Sequence, residues 1–99
     1  MAFLIRLLPP RPNFPGDMTE AEAEVMERHF AYWRELMGRE TAAAYGPVLD
    51  PAGTWGLGLL ALDDEQAARE VVDRDPAVES GTFSAEMMPI DLATPRSPG

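Results

Sequence analysis

The sequence contains no cysteine, no lysine and a single histidine, His29. Without cysteine the chain has no disulfide, no thiolate nucleophile and no sulfur-based zinc or iron–sulfur site. Without lysine it cannot form a Schiff base with a carbonyl substrate or a pyridoxal cofactor. With one histidine, a metal site would consist mostly of carboxylates, which transition metals rarely favour. We therefore expect neither a metal nor a cofactor.

No apolar run approaches the ~20 residues that cross a bilayer, and the apolar start MAFLIRLLPPRP lacks a small-residue cleavage site and is typical of a strand. The net charge is −9, and the eight basic residues, all arginine, are dispersed. This charge argues against nucleic acid binding, which needs clustered positive charge, and the lack of a long apolar run argues against a membrane. Length and composition predict one cytoplasmic domain, residues 1–91, with a poorly ordered tail, residues 92–99.

Hydrophobic patterns predict four strands and two helices. The predicted strands are Phe3–Leu8, Thr41–Leu49, Thr54–Leu62 and Thr82–Ile90, and the predicted helices are Thr19–Met37 and Glu65 to about Arg74. Thr19 and Glu22 form a capping-box pattern, and Gly38 suits the residue that follows a helix. The segment PPRPNFPGDM between the first strand and the first helix is rich in proline, which predicts a stiff loop.

The second and third strands are expected to form a hairpin, because Asp50-Pro51-Ala52-Gly53 matches a type I turn. Gly46-Pro47 should interrupt regular pairing, so the second strand is predicted to lie at an edge or to be bulged. With right-handed crossovers, the order of elements predicts an α+β fold of the ferredoxin-like βαββαβ type. It has a four-stranded antiparallel sheet with both helices on one face.

The other face of this sheet would expose large apolar side chains, which is unusual for a monomer. We therefore predict a homodimer in which two copies pack sheet face to sheet face.

His29 is the one ionisable residue on the apolar stripe of the first helix. That stripe comprises Val25, Met26, His29, Phe30, Trp33, Leu36 and Met37. Asp75 follows the stripe of the second helix, Ala68, Val71 and Val72, by one turn. Because both helices cover one face of the sheet, the two side chains could meet. A carboxylate bonded to one imidazole nitrogen fixes the tautomer and makes the other nitrogen a better general base.

Simpler interpretations remain open for each of these residues. His29 could be a core histidine bonded to a carbonyl, and Asp75 could only cap or end its helix. Trp33 could line a ligand cleft or belong to the core. Arg11, on the proline-rich loop beside Phe14, could steer an anionic substrate or remain a surface arginine.

The segments RPNFPGDMTEAEAEVMERHFAYWREL, GPVLDPAGTWGLGLLAL, Asp75-Pro76 and GTFSAEMMP, in this order, resemble the YciI (YCII-related) family. The resemblance implies a dimeric α+β barrel with His29 and Asp75 as the catalytic pair and Gly46-Pro47 near the cleft. It also implies a small-molecule ligand, since one reaction assigned in the family is the dehydrochlorination of a chlorinated hydroxyquinol.

Our first hypothesis is a cofactor-independent enzyme of the lyase, dehydrohalogenase or isomerase type, acting on a small aromatic-derived or enolisable metabolite. In it His29 and Asp75 carry out acid–base chemistry, and Arg11, Trp33, Gly46 and Pro47 bind substrate. The alternatives are a non-catalytic ligand-binding or regulatory dimeric module, and a dimeric scaffold whose site has lost its activity.

Overall fold

The computed structural model of the protein describes residues 2–92. Its elements are β1 (Ala2–Leu8), α1 (Glu20–Gly38), β2 (Ala42–Val48), β3 (Trp55–Leu60), α2 (Glu65–Asp73), α3 (Pro76–Glu79) and β4 (Ser84–Ile90). The predicted tail lies outside the described residues, except for Leu92. Between residues 2 and 92, no helix has the length and apolar character needed to cross a membrane.

The four strands form one antiparallel sheet in the order β2-β3-β1-β4. This confirms the predicted ferredoxin-like fold, the hairpin between β2 and β3, and the edge position of β2. The predicted irregularity lies elsewhere, because the register shifts between Ala42 and Ala44. Gly46 and Pro47 stay in register, opposite Leu57 and Gly56. An edge strand tolerates proline there because only one side of its backbone has to pair.

One face of the sheet is covered by the helices. On β1, every second residue is buried beneath them, namely Phe3, Ile5 and Leu7, as the alternation of side chains along a strand requires. The intervening residues Leu4 and Arg6 point to the opposite face, called here the open face, and are only partly buried.

Both ends of α1 are closed by local hydrogen bonds. At its start, the Thr19 hydroxyl accepts from the Glu22 N–H, and the Glu22 carboxylate accepts from the Thr19 N–H, which confirms the capping box. At its end, Gly38 lies within the last turn, and Glu40 takes the left-handed conformation with φ 61°. The N–H groups of the three residues after Gly38, residues 39–41, bond back to carbonyls of the last turn of the helix. These bonds hold the left-handed turn without glycine.

The chain between α2 and β4 departs from the prediction. The helix α2 begins after the Asp64 cap and ends at Asp73, in agreement with the predicted end near Arg74, but Pro76 then opens a separate short helix, α3, that was not predicted. Proline cannot extend α2, since it lacks an N–H, yet its fixed φ suits the first turn of a new helix. Asp75 is thus the N-cap of α3 and not the continuation of the α2 stripe. It is still buried, because α3 packs against α1.

Candidate functional site

The helix α1 carries His29 into the interior of the domain. His29, Trp33 and Leu36 are its buried residues, and their spacing places them on one face. Phe30 and Met37, assigned to the same stripe, are 45% and 39% exposed. The buried stripe is therefore narrower than predicted, because α1 rests on the sheet and on α3 along one side only. Phe30 instead borders a cavity.

Asp75 is fully buried and accepts three hydrogen bonds. His29 Nδ1 lies 2.8 Å from Oδ2 and 2.9 Å from Oδ1. The indole Nε1 of Trp33 donates to Oδ2 at 2.8 Å, and the backbone N–H of Ala77 donates to Oδ1 at 2.9 Å. This confirms the predicted contact between His29 and Asp75, and the open alternative of a carbonyl partner for His29 is wrong. Asp75 also caps a helix, so it has both of the roles considered for it.

This arrangement fixes how the imidazole is protonated. An ionised carboxylate only accepts hydrogen bonds, so Nδ1 of His29 carries the proton and Nε2 has the free lone pair when the ring is neutral. Nε2 has no hydrogen-bond partner among residues 2–92. Arg6 Nε is the one side-chain nitrogen or oxygen of these residues that is both completely buried and without a partner. Nε2 therefore keeps some solvent access. Nε2 is therefore the nitrogen of His29 that can meet a ligand.

Trp33 links this pair to the sheet. Its ring lies directly over the Cα of Gly58, where any larger residue would collide with it, and it stacks on Tyr45 with ring centroids 6.0 Å apart. Gly58 is thus the small residue that lets the indole approach the strand. Trp33 belongs to the core, borders the cavity and holds Asp75, and the last of these roles has no signal in the sequence.

An apolar cavity of about 330 Å³ opens beside His29. Three of the predicted ligand-binding residues, Trp33, Gly46 and Pro47, line it. Tyr45 lines it too and could have been expected there, since it shares a strand face with Pro47. Phe83 was assigned to the last strand and not to the site, but it lies in the loop just before β4 and lines the cavity. Its ring meets the imidazole of His29 edge-on at 5.6 Å between centroids.

Arg11 lies elsewhere. Its guanidinium bonds both oxygens of Glu22, at 2.7 and 2.8 Å, and both carboxylate oxygens of Asp17, at 3.1 and 3.2 Å. Arg11 is not among the residues that line the cavity, whereas Phe14 of the same loop is. Arg11 therefore fastens the loop to the start of α1, and its charge is neutralised by the two carboxylates.

These ion pairs shift the pKa values of Arg11 and Glu22. The hydrogen bonds from Arg11, together with that from the Thr19 backbone, lower the pKa of Glu22 to about 2. The bonds to Glu22 and Asp17 raise the pKa of Arg11 above its ordinary value. Arg11 and Glu22 thus stay charged over the whole physiological range.

A second link joins α1 to α2 beside Asp75. The Tyr32 hydroxyl donates to the carbonyl of Val71 at 2.6 Å. Burial raises the pKa of Tyr32, and the nearby negative charge of Asp75 adds to the shift. Tyr32 therefore remains a neutral donor that sets the distance between the helices.

Within residues 2–92, no group of three or more His, Asp or Glu side chains is placed to hold a metal ion.

Comparisons with known proteins agree with this architecture. Among solved structures, the fold is similar to that of 5-chloro-2-hydroxyhydroquinone dehydrochlorinase from Burkholderia phenoliruptrix, determined in complex with 2,5-dihydroxybenzoquinone. The TM-score is 0.70 at 19% identity, over 94% of this chain and 96% of that chain. No curated protein matches the sequence. The sequence profile of the YCII-related domain matches residues 1–90, so the chain belongs to the YCII-related family.

Proposed function

We propose that the protein is a small cofactor-independent enzyme in which His29 moves a proton to or from a small aromatic-derived or enolisable metabolite. The observation that carries this proposal is the orientation of one imidazole: Nδ1 is held by a buried carboxylate, and Nε2 is left for the apolar cavity. Family membership and the fold of the dehydrochlorinase support it.

In the proposed step, Nε2 of His29 takes a proton from a C–H or O–H group that is conjugated to a carbonyl or an aromatic ring. The electron pair left behind moves into the conjugated system. In a lyase or dehydrohalogenase reaction that pair expels a leaving group such as chloride, and in an isomerase reaction the imidazolium returns the proton to another carbon. Asp75 stabilises the imidazolium through Nδ1–H and keeps the ring in one orientation.

The test is proton exchange or chloride release over a panel of enolisable compounds and chlorinated phenols. We expect His29→Asn to lower the rate about 10²- to 10⁴-fold, the usual contribution of a general acid–base group. The control is Arg39→Gln, which alters an exposed ion pair at the far end of α1 and should leave the rate unchanged. Full activity of His29→Asn would contradict the proposal.

A non-catalytic binding module is the second candidate, and the almost entirely apolar lining of the cavity favours it, because such a lining retains a ligand without chemistry. This candidate expects a compound that binds, is never consumed, and binds equally well after His29→Asn and Asp75→Asn substitution. Consumption of any bound compound that depends on His29 would exclude it.

We further propose that two copies pair through the open face. Its apolar side chains include Leu4, Leu57, Leu59 and Met88, and the last is 41% exposed. They surround one ion pair, Arg6–Glu86 at 3.0 Å, with the guanidinium of Arg6 over the ring of Trp55. An apolar patch around a neutralised pair suits a face that is covered in an assembly.

The oligomeric state can be measured by size-exclusion chromatography with light scattering. We expect a dimer at micromolar concentration and a monomer after Leu59→Glu, which places a charge on the open face. Leu49→Glu is the matched control, because Leu49 is 81% exposed in the β2–β3 turn. A monomeric parent protein would overturn the proposed pairing.

A further inference from the structure

We infer that the cavity beside His29 takes an uncharged, planar, mainly apolar molecule of one or two fused rings that offers a single acidic O–H or C–H to Nε2. The role of Nε2 rests on the proposed function. The class of ligand follows independently from the size, polarity and charge of the cavity.

Size sets the number of rings. A dry apolar cavity of about 150 Å³ accepts one benzene ring. The cavity here, about 330 Å³, is roughly twice as large, so it has room for a substituted single ring or a fused pair.

Shape favours a planar ligand. Rings line the cavity on several sides, and among them are Phe14, Trp33, Tyr45 and Phe83. Phe14 and Phe83 pack edge-on against each other, as do Phe83 and His29, each pair with centroids 5.6 Å apart. A flat conjugated ring can stack on or meet these faces at the usual aromatic distances, whereas a bulky aliphatic skeleton cannot.

Polarity limits the number of hydroxyl groups on the ligand. The side chains with polar atoms on the lining are few, and the two indole N–H groups among them are already engaged: Trp33 donates to Asp75 and Trp55 donates to Asp50. This leaves His29, Tyr45 and Thr54. A ligand hydroxyl that reaches none of these three side chains is buried without a partner, which costs on the order of ten- to a hundred-fold in affinity.

Charge disfavours an anion. Among residues 2–92, no arginine lines the cavity. Arg11 of the adjoining loop is held by Asp17 and Glu22. Arg6, which lies over the ring of Trp55, is paired with Glu86. Directly behind His29 lies the buried carboxylate of Asp75, and the chain as a whole carries −9. An anionic ligand would therefore lie near the carboxylate of Asp75, and none of residues 2–92 places an unpaired arginine on the lining to offset the negative charge.

The test compares three ligands with one ring skeleton: 2-naphthol, 2-naphthoate and 2,7-dihydroxynaphthalene, titrated at pH 7 and followed by tryptophan fluorescence and calorimetry. We expect 2-naphthol to bind at least ten-fold more tightly than either of the others. Equal or tighter binding of 2-naphthoate or of the diol would overturn the inference.

A pair of variants locates the ligand. Phe30 borders the cavity and is 45% exposed, so Phe30→Arg adds a cation at the site without emptying the core. We expect it to tighten 2-naphthoate about ten-fold. Met37→Arg adds the same charge two turns along α1, where the side chain is 39% exposed and does not line the cavity, and should change little. An equal gain in both variants would show that the ligand binds elsewhere and would overturn the inference.

Exchange of the ring proton at C1 of 2-naphthol in D₂O separates this inference from the proposed function. If 2-naphthol binds selectively but its proton exchanges no faster than in buffer, the ligand class holds and the catalytic proposal fails for this compound. If 2-naphthoate is preferred, the ligand class fails whatever the exchange rate.

Discussion

Two polar clusters flank the same helix and use their charges differently. The buried cluster consists of His29, Trp33 and Asp75, in which the carboxylate is completely enclosed. The surface cluster consists of Arg11, Asp17 and Glu22, whose side chains are 37%, 41% and 18% exposed. In both clusters, carboxylate oxygens accept several short hydrogen bonds. The clusters differ in how far these carboxylates are buried.

Burial decides what the carboxylate does. In the surface cluster, water competes for every charge, so the ion pairs hold the loop in place and contribute little else. In the buried cluster, each donor has no alternative partner, so the loss of Asp75 would leave three N–H groups unsatisfied. The buried cluster can hold reactive side chains in a fixed geometry, because water does not compete for their hydrogen bonds.

Removal of the buried carboxylate should have the largest effect on stability. We expect Asp75→Ala to lower the free energy of unfolding by about 3 kcal/mol or more, because three buried donors lose their acceptor. Asp75→Asn keeps the volume and one acceptor oxygen and should cost clearly less. Urea unfolding measures both. A loss below about 1 kcal/mol for Asp75→Ala would mean that the donors find other partners.

A smaller effect should follow from displacing Trp33 without altering its chemistry. A methyl group at Gly58 would collide with the indole ring, so Gly58→Ala should cost about 1–3 kcal/mol, the usual range for overpacking. Gly46→Ala on the neighbouring strand meets nothing within 4 Å and serves as the control. In the one-dimensional proton spectrum, the indole N–H of Trp33 should shift in the first variant only; if that resonance keeps its position, Trp33 has not moved.

The smallest effect concerns the surface cluster and depends on pH. The pKa of Glu22 is about 2 in the folded protein against an ordinary 4.5, so its ion pair stabilises the fold fully above that ordinary value. The contribution declines as the pH falls from about 4.5 towards 2. We expect Glu22→Gln to lower the melting temperature at pH 6 and to differ progressively less from the parent protein below pH 4.5.

The control for this titration is Glu24→Gln, which removes the same charge from the start of α1. Glu24 takes part in none of the ion pairs formed by residues 2–92, so its substitution should produce no such convergence. If the difference in melting temperature between Glu22→Gln and the parent stays constant from pH 6 to pH 3, the charge of Glu22 does not stabilise the fold.

The fold could be predicted from the sequence because its signals are local. Short apolar runs bounded by proline and turn residues identified the strands, and the Asp50-Pro51-Ala52-Gly53 turn identified the hairpin. The capping box at Thr19 set the start of α1 to within one residue. Each of these features depends on residues a few positions apart, which is the range over which periodicity and turn chemistry are informative.

The site could be predicted only in part. Helical spacing correctly turned His29 inward. It also selected Asp75, although Asp75 reaches His29 as the cap of α3 and not along the α2 stripe. The bond from Trp33 to Asp75 joins residues 42 positions apart and depends on how α1 and α3 pack. The helix α3 was missed for a local reason. Proline ends one helix but also suits the first turn of another, and only the first of these effects was used in the prediction. The partners of Arg11 depend on how the loop folds back over α1, which proline content alone does not specify.

The cap of α3 has a consequence for how the site is assembled during folding. One carboxylate both nucleates the first turn after Pro76 and selects which nitrogen of the imidazole keeps its proton. When residues 76–79 are not helical, the N–H of Ala77 does not hold the carboxylate of Asp75 in place, and the tautomer of His29 is not fixed. Local unwinding of residues 76–79 would therefore free the imidazole together with the helix cap, and would leave the cavity walls without the carboxylate that orients His29.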